Sequence, residues 1–225
     1  LELFKGAFDD SIGTKTKPEN KPYIAYSTKE GRVTYTVVPK PADPNTYVTF
    51  IAEEANSTIG LTKLSTNQIL EYSTDTAIWS NMDTSTIITL SNEGDEVYVR
   101  GILSGNNSNS NNTRFKMTGK IAASGNCNAI WNYQDLNAPL KVYCGHDMFN
   151  GCTSLTIAPE LPATELVDHC YYGMFNGCTS LTIAPELPAM ELADHCYCYM
   201  FRKCSSLTTA PELPATTLAS WCYSR

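Results

Sequence analysis

The residues of this chain whose types could do chemistry are two triplets, Asp168-His169-Cys170 and Asp194-His195-Cys196. Imidazole and thiolate both bind zinc, and a base beside a thiol activates it as a nucleophile. Their duplication argues against both roles. A catalytic group is needed once, residues that recur at a fixed interval serve whatever recurs, and adjacent side chains on a strand face opposite ways. No Cys-x-x-Cys pair is present, and His146, the third histidine, falls out of step with the other two. There are no paired carboxylates in a repeat-breaking context, no glycine-rich phosphate loop and no nucleophile elbow. The chain is therefore expected to be no enzyme, with no metal and no cofactor.

The triplets are placed by an internal repeat. Residues 148–163 read MFNGCTSLTIAPELPA, residues 174–189 read the same sixteen letters, and MFRKCSSLTTAPELPA starts at Met200, each start 26 residues after the last. The rest of the unit keeps step: Leu140, Leu166, Leu192 and Leu218; Cys144, Cys170, Cys196 and Cys222; Cys152, Cys178 and Cys204; Leu155, Leu181 and Leu207. A unit of this size cannot bury its own apolar face, so equivalent positions must cover one another in a stack. Leu155 and Ile157 alternate with Ser154 and Thr156 as in a short strand, which Pro159 and Pro162 then stop. Leu166, Cys170 and Met174, four residues apart, suit a short helical turn facing inward, with a second strand as the alternative.

The spacing Phe149-x-x-Cys152-x-x-Leu155, repeated from Phe175 and Phe201, resembles the leucine-rich repeat of the BspA-like surface proteins over roughly residues 126–225. The Pro-Glu-Leu-Pro step in each unit departs from their plainer turn, and the array is short. The resemblance implies an extracellular or bacterial-surface, adhesin-like binding protein, often preceded by immunoglobulin-like modules. Residues 126–151 lack the Pro-Glu-Leu-Pro step, carry Trp131 and Tyr133 instead, and read as a degenerate cap, followed by repeats at 152–177, 178–203 and 204–225. The last unit stops before its own Met-Phe step, with no polar cap, so its outer coil is expected to be covered by another molecule or to be the cut end of a longer array. Leu1 in place of Met reads as a removed leader or a fragment.

All nine cysteines lie between Cys127 and Cys222. Strand-stacked coils would sit about 4.8 Å apart, within disulfide reach, but a ladder of buried free thiols is the favoured reading. Cys198, outside both rows and aligned with Tyr172, is expected to be the exposed one. Tyr171, Tyr197 and Tyr223 could equally form a recognition surface or pack between coils.

The preceding residues are of another kind. Residues 1–22 read as a flexible leader, and residues 23–44 as a hairpin (Tyr23–Tyr26, Val33–Val38, with a Lys-Glu-Gly turn) and a proline-rich hinge. Residues 45–123 carry seven strand-like segments: Tyr47–Ile51, Thr58–Leu64, Ile69–Tyr72, Ala77–Trp79, Thr86–Leu90, Val97–Leu103 and Arg114–Ala122. They predict an immunoglobulin-like β-sandwich of about 80 residues without an inter-sheet disulfide, with Trp79 as its core anchor. GNNSNSNN at 105–112 is expected to be poorly ordered.

The fold class expected is thus mainly β: an immunoglobulin-like β-sandwich, then, at 124–225, a leucine-rich-repeat solenoid of 26-residue units. The net charge of −7 is uneven, with 4 basic and 9 acidic residues in 126–225, which excludes a nucleic-acid footprint there. No apolar run is long enough for a membrane-spanning segment. The expected contact face is the outward row Thr156, Ala158, Thr182, Ala184, Thr208 and Ala210 with the flanking Glu160, Glu186 and Glu212, engaging a host or cell-surface protein or glycan. The alternative function is a structural or assembly segment of a larger surface or fibre protein, with self-association through the uncapped C-terminal repeat.

Overall fold

The computed structural model describes residues 23–29, 32–38 and 46–224. They divide into two compact units, Leu1–Asp43 and Pro44–Arg225. In the first, β1 (Tyr23–Lys29) and β2 (Arg32–Val38) pair antiparallel from Tyr23↔Val38 to Lys29↔Arg32, the hairpin expected from the sequence. The expected leader at 1–22 and the hinge at 39–44 lie outside the described residues.

The second unit opens with eight strands in two sheets. They are β3 (Val48–Ala52), β4 (Ser57–Lys63), β5 (Gln68–Ser73), β6 (Ser80–Asn81), β7 (Ile87–Leu90), β8 (Glu96–Leu103), β9 (Arg114–Thr118) and β10 (Ile121–Ser124). One sheet runs β7-β4-β9; the other includes β10-β3-β8-β5-β6. Alternation sets their faces: in β8 every second side chain from Val97 to Leu103 is buried. The last segment of the expected seven, Arg114–Ala122, is two strands in different sheets. Gly119 makes the change of sheet possible, because its φ of 77° and the closeness of Ser57 Oγ leave no place for a side chain.

The expected core anchor is also corrected. Trp79 is half-buried, with the Arg100 guanidinium 3.8 Å from its ring; Arg100 also lies 4.1 Å from the Tyr133 ring and bonds Glu71 at 2.8 Å. The inter-sheet contact is Phe50 against Phe115, at 5.5 Å. A short helix, α1 (Asn128–Asn132), packs on β8 where Gly101 gives it room: a Cβ there would come within 2.6 Å of the Ile130 carbonyl. Asn112 is fully buried and Asn107 nearly so, held by Ser65 Oγ donating to Asn107 Oδ1 at 2.6 Å and by Asn107 N–H on the Val142 carbonyl at 3.0 Å. The loop at 105–112, expected to be poorly ordered, is thus hydrogen-bonded to the β4–β5 connection on one side and to residues of the 126–151 segment on the other.

The expected solenoid is not what residues 124–225 form. They contribute one three-residue strand, β11 (Leu155–Ile157), which pairs parallel with β10 and becomes the sixth strand of the larger sheet. The other copies reach only isolated bridges, Ile157↔Ile183 and Glu191↔Thr217. Prolines 159, 185 and 211, which lack the N–H a ladder needs, cut each strand-like segment short. The described residues are mainly β, with two sheets in the second unit, and the repeats are built from turns.

Those turns follow a rule. In the segment around each triplet, even-numbered N–H groups bond the carbonyl three residues back, as in Cys170→Val167, Tyr172→His169 and Met174→Tyr171. The third residue of each such turn has a positive φ: His169 (59°), Tyr171 (58°) and Gly173 (58°), then His195, Tyr197 and Tyr199. This is a run of type II turns, not the expected helical turn at Leu166–Met174. Odd-numbered N–H groups are left free and bond the neighbouring copy: Asp147→Tyr172, Phe149→Met174, Gly173→Cys198 and Phe175→Met200. A positive φ on a bulky side chain is costly, and it persists here because both neighbouring copies hold it.

Candidate functional site

The aromatic positions of the repeat lie in columns. Phe149, Phe175 and Phe201 stack at 5.6 and 5.9 Å, and Tyr171, Tyr197 and Tyr223 at 5.8 and 5.9 Å, with Trp131 lying against Tyr171 at 5.7 Å. Tyr171 and Tyr197 are buried, so of the two readings for this row packing is the one the fold uses. Leu155 and Leu181 are fully buried and Leu207 packs half-buried against the same core.

The column begins in the strand region. Phe115 of β9 stacks on Phe149 at 5.2 Å, and its N–H bonds the Met148 carbonyl as Phe149 bonds Met174. The thiols repeat the relation: Cys152 Sγ donates to the Phe115 carbonyl, Cys178 to Phe149 and Cys204 to Phe175, at 3.5, 3.1 and 3.1 Å. All nine cysteines are free and buried, Cys198 included, which corrects the expectation that it is exposed. Burial pushes the Cys152 thiol up to about 12 and the Cys204 thiol up to about 11, so neither supplies thiolate near neutrality.

The Asp-His-Cys triplets are spent on the stack. His169 lies between Tyr143 at 4.3 Å and His195 at 4.5 Å, and burial, then the neighbouring His195, lowers its affinity for a proton. Asp168 Oδ1 accepts from the Asp194 N–H at 3.3 Å, and Asp194 Oδ1 from the Ser220 N–H at 2.9 Å, so each aspartate holds the backbone of the next copy. Burial raises the Cys170 thiol well above its usual range. Among the described residues no group of three His, Cys, Asp or Glu is placed to hold a metal ion.

The residues of the expected contact row differ in exposure. Glu160, Glu186 and Glu212 are exposed, as are Thr182, Thr208 and Ala210; Ala158 and Ala184 are half-buried. Thr156 is engaged, its hydroxyl within 2.6 Å of Glu53 Oε2 and 3.1 Å of the Ile121 carbonyl, and Thr182 Oγ1 donates to the Thr156 carbonyl at 3.1 Å. Ile157 and Ile183, read as inward-facing partners of the leucines, are 38% and 63% exposed. They line a notch of about 420 Å³ together with Ala158, Ala184 and the Pro-Glu-Leu-Pro steps of the first two copies. A second notch, of about 240 Å³, follows between Ala184 and Pro214. The signal that could have found the isoleucines was in the repeat itself: the third copy has Thr209 at their position, and a core site would not take a hydroxyl without a partner.

No family model, curated protein or solved structure matches the chain. Among the described residues no helix is long and apolar enough to cross a membrane.

Proposed function

We propose that this protein is a noncatalytic binding module, extracellular or on a bacterial surface, whose contact face is the exposed side of the turn-built repeats. The placement outside the cell rests on the BspA-like spacing alone. The observation that carries the binding role is the pair Ile157 and Ile183, apolar side chains left in water beside notches that recur because the sequence does. Apolar surface exposed at a fixed register, rimmed by carboxylates, has the layout of a recognition patch: an apolar centre with a polar edge. The partner is a host or cell-surface protein or glycan. The test is a screen of the whole chain and its Ile157→Ser, Ile183→Ser double variant against immobilised extracellular-matrix proteins and glycans. Binding lost in the variant supports the reading; partners retained equally by both contradict it.

One observation favours a second reading, assembly with a further copy of this chain. Leu161 and Leu187 are 2% and 3% exposed, whereas the equivalent Leu213 of the last copy is 51% exposed, and Trp221, stacked on His195, is 61% exposed. Light scattering at high protein concentration tests it: a dimer dispersed by Trp221→Ser supports assembly, and a strict monomer contradicts it.

A further inference from the structure

We infer that the notched face takes an extended polypeptide segment in which Lys or Arg alternates with apolar residues. This rests on the binding role proposed above and names its partner. The linings of both notches are apolar apart from Glu160, Glu186 and Glu212, and contain no Lys, Arg or His. Among the described residues none of these three glutamates makes an ion pair or a side-chain hydrogen bond. Glu53, whose carboxylate meets Thr156, adds a fourth acidic group at the start of the row. The basic residues of the third copy, Arg202 and Lys203, line a neighbouring depression that shares Leu187 and Pro211 with the second notch, so the cationic partner is placed over the first two copies.

Like charges placed in a row repel, and a cationic partner relieves the repulsion. The three in-chain copies keep this feature while changing others: the third replaces Asn176, Gly177, Thr179 and Ile183 by Arg202, Lys203, Ser205 and Thr209, yet retains Pro211-Glu212-Leu213-Pro214. The spacing also fits. Same-face side chains of an extended chain recur every ~6.8 Å. The copies are separated by 5.6 and 5.9 Å at their phenylalanine rings. Long Lys or Arg stems absorb a mismatch of about 1 Å per step while their heads reach the glutamates. The intervening apolar side chains meet Ile157 and Ile183.

The test uses three labelled nine-residue peptides with terminal charges blocked: Lys alternating with Val, Ser with Val, and Glu with Val. Fluorescence anisotropy is read on the whole chain, on Glu160→Gln, Glu186→Gln, Glu212→Gln together, and on Ile157→Ser, Ile183→Ser together. All five positions are exposed or half-exposed, and circular dichroism verifies folding. The expected result is binding of the Lys peptide about tenfold tighter than the Ser peptide, with no binding of the Glu peptide. The advantage is lost in the glutamine variant and on raising salt. Equal binding of the Lys and Ser peptides, weakened only by the isoleucine variant, overturns the cationic partner and leaves the binding role standing. A glycan captured through the same isoleucines while no peptide binds also overturns it. Absence of binding to every probe, including the screen above, overturns both.

Discussion

Residues 46–124 and residues 126–224 bury their apolar side chains by different rules, yet they share one core. In the strands, pleating sends alternate side chains inward and no cysteine is used; in the repeats, overlapping turns send Phe, Tyr, Cys and Leu inward at an interval of 26 residues. The two meet at Phe115 and Ile121. Phe115 behaves as the rung before Phe149 in ring stacking, in its N–H bond and in accepting a thiol, and Ile121 pairs with Leu155 across β10 and β11. A sheet edge is an open row of backbone groups that another chain could pair with. Here the repeats take that edge, and the edge in turn gives the first copy something to stack on.

The comparison breaks most sharply at that junction. Phe115→Ala removes a fully buried ring that meets both Phe50 and Phe149 and is expected to cost roughly 3–5 kcal/mol. Because both regions lean on it, urea unfolding followed by far-ultraviolet circular dichroism and by tyrosine absorbance should still give one coincident transition. Two separated midpoints would show that the regions stand alone.

A smaller effect sits at the seam between them. His146 is buried, stacked on Tyr172 at 4.8 Å, with Asn112 Nδ2 3.0 Å from its Nδ1. Burial lowers its proton affinity below the ordinary value of 6.5; Asp147, 3.6 Å away, works the other way, and His169 and Arg114 add to the lowering. The unfolded chain then binds more protons than the fold between the lowered value and 6.5. Stability therefore rises with pH through that window and falls as pH drops below about 6.5. Melting temperature is expected to be lower at pH 5.5 than at pH 7.5, with a shallower slope in His146→Gln; a slope unchanged by that substitution would remove His146 from the account.

The smallest effect is expected on the contact face. Ile183→Ser should change stability by less than about 0.5 kcal/mol, since the side chain is mostly in water and the third copy carries Thr209 there. A cost above 2 kcal/mol in thermal unfolding would mean that Ile183 serves the core.

What was legible in the sequence follows from this contrast. The strand segments could be read because alternation and β-branched residues report burial directly, and the register of the repeats because identical letters make identical contacts. The run of turns could not be: a left-handed φ at His169 or Tyr171 is imposed by neighbouring copies and runs against the preference of those residues. The division of Arg114–Ala122 between two sheets was hidden because the alternation of Phe115, Met117 and Ile121 with Lys116, Thr118 and Lys120 runs through Gly119 without a break. Cys198 was misplaced because the repeat aligns it with Tyr172, while its thiol in fact lies inside. On the contact face the glutamates were visible as a row. The isoleucines were not, because Leu155 and Ile157 look alike to a two-residue period that ends two positions later at Pro159.

Hydrogen exchange at the amides of Phe115, Phe149 and Phe175 tests the central claim most directly, since each donates to the carbonyl of the next rung. One shared core predicts slow exchange at all three with the same opening free energy, matching the buried strand amides of β8. Slow exchange at Phe115 with loop-like exchange at Phe149 and Phe175 would contradict it.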